Sequence, residues 1–197
     1  MPEAPKTLLI ACGALAREVL ALIRVNRWSH LELTCLPAIL HNRPERIPAA
    51  VRAKIRAGRG RFERILVLYG DCGTGGALDR VLEEEGVERI PGPHCYAFFS
   101  GVDRFLDEAE ADPFCFYLTD YLARHFERLV IEGLGLDRHP ELLPLYFGHY
   151  EKLVHLAQVD DPELAAAAEA AAARLGLAHE RRMTGYGDLQ TFLHRAA

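Results

Sequence analysis

Four residues stand where parallel α/β proteins do their chemistry: Cys12, His41, Cys72 and Cys95. Cys12 and Cys72 each follow an apolar run, precede a glycine and lead into helical periodicity (LLIACG and LVLYGDCG). Cys95 comes after the short run VERI, with His94 directly before it, and His41 follows LELTCLPAIL. If these runs are parallel strands, all four residues fall on the rim of strand carboxyl ends, where open sheets bind ligands. Thiolates with an imidazole suit zinc; thiolates alone suit an iron–sulfur cluster. The expected metal ligands are therefore Cys12, Cys72, Cys95 and His41. A thiol at a helix N-terminus also feels the positive end of the dipole, which favours the thiolate. On that ground Cys72 is equally a candidate nucleophile, activated by His94 or His41.

The stretch GDCGTGG places Gly73, Thr74, Gly75 and Gly76 ahead of a helix, an arrangement that can cradle an anion or a cofactor on backbone N–H groups. It has neither the P-loop spacing and lysine nor the G-x-G-x-x-G spacing. A tight strand-to-helix turn needs the same glycines. Asp71 beside Cys72 is a candidate acid/base group, or a cap for the helix. Cys35 and Cys115 lie inside apolar runs and read as core.

Strand and helix signals alternate along the chain, and these elements must position the rim. TLLIA (7–11), LELTCLPAIL (31–40, broken by Pro37), RILVLYG (64–70), VERI (87–90), PFCFYLTD (113–120), KLVHLAQVD (152–160) and AHERRMTG (178–185) read as strands. Helical spacing fills 14–26, 44–57, 78–86, 96–110, 121–131, 140–150 and an Ala-rich stretch ending at Leu175, with a closing helix after 187. The pattern predicts an α/β fold with mainly parallel strands flanked by helices. Without a low-complexity linker, 1–197 reads as a single compact unit. A loose echo between 7–60, 64–135 and 150–197 suggests repeated βα units.

Composition narrows the functional classes. The chain has 197 residues, half of them hydrophobic, and a net charge of −5. Its basic residues are scattered among acids, apart from RAKIRAGRGRFER, so no nucleic-acid footprint is expected. The apolar run Ile65–Tyr69 is far shorter than the roughly 20 residues of a membrane span. Charges at Arg17 and Glu18 follow the start too closely for a secretory signal, and five cysteines are an odd count. The expectation is a cytoplasmic protein with free thiols and no membrane partner.

Taken together, LLIACGALAREV, LHNRPERIP, LYGDCGTGG, GPHCYAFFSG and FYLTDYLARHF resemble a prokaryotic family known as domain of unknown function sixteen thirty-eight. The resemblance spans most of the chain, and Cys12, His41, Cys72, His94 and Cys95 fall within its segments. It brings no established activity. Members of the family near corrinoid-dependent methyltransferase genes imply a role in one-carbon or methylamine metabolism, with a small-molecule substrate or a corrinoid or methyltransferase protein as partner. Three function classes stay open: a zinc or iron–sulfur enzyme or accessory protein, a non-catalytic cofactor-binding module, and a metal-free enzyme using Cys72.

Overall fold

Strand β1 (Thr7–Cys12) is buried along its whole length, which happens when helices cover both faces of its sheet. It pairs in parallel with β2 (Leu31–Leu36) on one side and β3 (Arg64–Leu68) on the other. The two-residue β4 (Glu88–Arg89) extends the sheet in parallel beyond β3, giving the order β2-β1-β3-β4. A second parallel sheet runs β5 (Cys115–Thr119), β6 (Lys152–Ala157), β7 (Ala178–Met183) in that order. The structure is a computed structural model that describes residues 5–197. The chain has the expected α/β fold with parallel strands flanked by helices. Among the described residues, no helix is long and apolar enough to cross a membrane.

Two compact units divide the chain. The first runs to Phe98 and takes back Asp188–Ala197; the second is Phe99–Gly187. In the first, α1 (Ala16–Asn26) follows a 3-10 turn, Gly13–Leu15, and α2 (Ile47–Gly58) and α3 (Ala77–Glu85) share one layer. Ile47, Val51 and Ile55 recur every four residues on α2 and are fully buried. They meet Leu78 and Leu82 of α3 over Leu8, Ile10, Cys12, Val67 and Tyr69. Alternate strand residues share a face, so Cys12 and Tyr69 form the last rung of this layer. Each fully buried Ile or Val contributes about 1.5–3 kcal/mol, which holds the strand ends in register. The final helix, α9 (Gly187–Ala196), closes the same unit. Arg64 Nη1 donates to the Ala196 carbonyl at 3.2 Å, and the Trp28 ring meets His194 edge-on at 4.8 Å.

The helix expected over 96–110 is two helices, α4 (Cys95–Ser100) and α5 (Val102–Ala111). The break falls at Gly101, whose φ of 87° only glycine adopts easily. The helix expected over 121–131 is also interrupted. Thr119 caps α6 (Asp120–Arg124), and a π-helical turn, Glu127–Ile131, follows. The wider turn sends the adjacent Val130 and Ile131 into one core with Phe126. After α7 (Leu143–Phe147), the Ala-rich α8 (Pro162–Leu175) forms as expected. Its N-cap Asp161 accepts from Glu163 N at 2.9 Å. Small Ala168, Ala171 and Ala172 bring it onto Leu118 and Leu153.

Candidate functional site

The strand order makes β1 the branch point of the first unit. The chain leaves β1 for β2 on one side, then returns to build β3 and β4 on the other. At such a reversal the connections part and leave a crevice beyond the strand carboxyl ends. Cys12 ends β1, and Tyr69 through Cys72 continue from β3 into this position.

Cys12 is buried, and its sulfur accepts from Ala14 N at 3.3 Å. His41, exposed at the rim, places Nδ1 4.0 Å from that sulfur and 2.9 Å from the Ala38 carbonyl. A carbonyl only accepts, so Nδ1 carries the hydrogen and Nε2 is left with a lone pair. Metal-binding imidazoles are commonly oriented by this kind of backbone hydrogen bond. Partial enclosure holds the His41 pKa below its ordinary value, against the pull of the Ala38 carbonyl. The Tyr69 ring stacks on His41, with centroids 6.1 Å apart and planes 13° apart. Its hydroxyl is buried beside Cys12, with no partner of normal hydrogen-bond geometry among the described residues.

Cys72 has φ of +50°, a left-handed backbone conformation that side chains rarely adopt. The rest of its loop is turned inward on Asp71. Gly76 N and Thr74 Oγ1 donate to Asp71 Oδ1 at 2.8 Å each, and Gly75 N donates to Oδ2 at 3.2 Å. These bonds, led by Gly76 N–H, hold the Asp71 carboxyl below the ordinary value. The glycine loop thus cradles an anion supplied by its own chain, with Gly75, Gly76 and Thr74 engaged by it.

The segment before Cys95 is pinned beside this loop. Cys72 N donates to the Pro93 carbonyl at 2.8 Å, and Asp71 N to the Gly92 carbonyl at 3.2 Å. A Cβ on Gly70 would lie 2.6 Å from the His94 backbone, so only glycine permits this approach. Cys95 is consequently within electrostatic reach of both Cys12 and Cys72, and His94 of His41. Cys12, Cys72 and Cys95 thus lie near the carboxyl ends of β1 and β3, with His41 4.0 Å from the Cys12 sulfur and His94 directly before Cys95. Cys35 lies within β2 and Cys115 within β5. As placed, no three His, Cys, Asp or Glu side chains among the described residues form a ready-made ion cage.

The expected bias toward thiolate is reversed. Burial pushes Cys12 up to about 11 and Cys72 up to about 12, and raises Cys95 well above the ordinary thiol value. The neighbouring thiols add to the last two. Helix dipoles do not compensate, because Cys12 opens only a three-residue 3-10 turn and α3 begins five residues after Cys72. The folded state therefore favours neutral thiols. Their contribution to stability is complete below the unfolded value near pH 9 and is lost as pH rises toward 11–12. Urea unfolding of chelator-treated protein should show this. Cys12 alone should remove about 1.4 kcal/mol per pH unit above 9, and an unchanged midpoint up to pH 10.5 would contradict it.

Sequence reasoning passed over two features. Tyr69 looked like one more core residue of its strand, and only its polar atom at a strand end marked it out. The second unit holds a buried polar network. His155 Nε2 donates to Asp120 Oδ1 at 2.8 Å, while Gln158 N and Val159 N each donate to Oδ2 at 3.0 Å. Asp120 N donates to Gln158 Oε1 at 2.8 Å. The sequence signal was Asp120 directly after a strand, which reads as a simple cap.

No curated protein and no solved structure matches the chain. A family model does, over residues 35–193, a span that holds His41, Cys72, His94 and Cys95 and begins after Cys12. The chain therefore belongs to the family described as protein of unknown function DUF1638.

Proposed function

We propose that the crevice at the ends of β1 and β3 binds a thiophilic metal, zinc or the iron of an iron–sulfur cluster, through Cys12, Cys72 and Cys95, with His41 as nitrogen donor. The protein then serves one-carbon, methyl-group metabolism as an enzyme or accessory protein, acting on a small molecule or with a corrinoid or methyltransferase protein. The methyl-group part follows from the resemblance given above. The metal part follows from the residues. Bound zinc would act as a Lewis acid that makes a thiol or water nucleophilic near neutral pH. Cys12, Cys72 and Cys95 would hold it. His41 already has its tautomer set by Ala38, and Tyr69 offers a hydroxyl to whatever enters the crevice.

Cys72 carries this reading. A non-glycine residue in the left-handed region costs about 1–3 kcal/mol and persists where something else requires its side chain. Glycine would fit that backbone without strain, yet the position holds a thiol beside two others. With a pKa near 12, an uncoordinated Cys72 is protonated at neutral pH, which weighs against a free nucleophile there.

Metal analysis and a visible spectrum of anaerobically purified protein test the proposal. Wild-type protein should hold stoichiometric zinc, or be brown with iron and sulfide. Cys72→Gly should lose the metal yet melt no lower than metal-free wild type, because the left-handed strain is relieved. Cys115→Ser should keep the metal. Absence of metal from wild type, or full occupancy in Cys72→Gly, overturns the site; retained metal with lost turnover in Cys72→Ser makes Cys72 a nucleophile.

A further inference from the structure

The second unit contains seven arginines, and their pairing divides them sharply. Arg104, Arg138, Arg181 and Arg182 each form an ion pair with a neighbouring acid. Arg124, Arg128 and Arg174 form none among the described residues, and all three line the same groove. This groove encloses about 780 Å³ between the α6 segment with its π-helical turn and one face of α8. Ala167, Ala170 and Ala171 form its α8 wall, and Phe126 adds an aromatic surface opposite.

Each feature narrows the occupant. Alanines leave room where larger side chains would fill the gap, and the volume lies within the about 300–1,000 Å³ range of small-molecule sites. Three guanidinium groups around one space repel one another unless an anion lies between them. Their planar forks match phosphate oxygens two at a time. Glu127 and Glu132 also border the groove. They would repel a long polyanion or a charged membrane surface more than a compact phosphate held by the arginines.

We propose that this groove is a binding site for a small phosphate ester, with the phosphate held by Arg124, Arg128 and Arg174 and the organic part against the alanine wall and Phe126. It lies within the second unit, and its residues play no part in the metal reading.

Adenosine monophosphate and ribose 5-phosphate, titrated calorimetrically into the full chain at low salt, are the test probes. At least one should bind with a stoichiometry of one. Arg128→Gln and Arg174→Gln should each weaken it about ten-fold or more, as loss of a charge-assisted hydrogen bond does. Arg181→Gln, which breaks the surface pair with Asp160, should leave it unchanged. These substitutions lie on an exposed wall, and matching thermal melts would establish that the variants are folded. Metal content should be the same in all of them, which keeps this test independent of the cysteine site. Failure of both probes to bind overturns the proposal, as does equal binding by all variants. Binding to phosphatidylserine vesicles with no response to either soluble probe would overturn it in favour of a membrane surface.

Discussion

Zinc affinity should rise about a thousand-fold for each unit of pH through the neutral range. The three thiols are protonated there, since burial holds Cys12 near 11 and Cys72 near 12 and raises Cys95 well above the ordinary thiol value. A metal binds the thiolate, so each ligand must release a proton, and each proton released contributes about a factor of ten per pH unit. His41 adds nothing above its lowered pKa, because it is already neutral. The slope of log affinity against pH therefore counts thiolates: about three for the full set, about two if Cys95 stays out. Competition against a chelating dye, corrected for the dye's own protons, at several values between about pH 6.5 and 7.5 measures it. A flat profile would mean that no thiolate binds the ion, and the shared cysteine site would fail.

The second large effect belongs to Asp120. Its carboxylate is 2 % exposed and receives the His155 ring N–H and two backbone N–H groups. Asp120→Ala leaves the His155 and Gln158 donors buried without an acceptor, each costing about 1–3 kcal/mol, and frees the part-buried Val159 N–H. Domains of this kind have about 5–15 kcal/mol in total, so the variant should unfold at much lower urea or fail to fold. Asp120→Asn should be milder, because its Oδ1 can keep the two backbone donors while its NH2 donates to His155 Nε2 in the other ring tautomer. A loss below about 1 kcal/mol in Asp120→Ala would mean that the network is not structural in the way its geometry implies.

The path from sequence to site was open in some places and closed in others. Unbroken apolar runs such as Ile65–Leu68 identify strands covered on both faces, and a glycine after each run locates the turn. That was enough to place Cys12 and Cys72 at strand ends and to expect Cys95 and His41 nearby. The protonation state of the thiols was not legible, because it depends on how deeply the crevice is enclosed, and enclosure comes from α2, α3 and the 92–95 segment together. The role of Asp71 was equally hidden. A carboxylate ahead of a glycine loop can face outward to a reactant or inward to the loop's own N–H groups, and only folded backbone angles decide. Gly101, with its positive φ, and the π-helical turn at 127–131 interrupted two helices whose periodicity was continuous; at the second, core packing of Val130 and Ile131 outweighed local preference.

The return of α9 to the first unit has a consequence for biosynthesis. A ribosome delivers residues in order, and domains tend to fold as they emerge. Here all of Phe99–Gly187 leaves the ribosome before Asp188–Ala197 can dock. The first unit, which carries the cysteine crevice, is therefore the later of the two to be completed, although most of it is made first. Until α9 arrives, the positions that receive Leu189, Phe192 and Leu193 stay uncovered. A nascent chain stalled just short of residue 188 would thus expose this apolar surface, the state in which chaperone capture competes with folding.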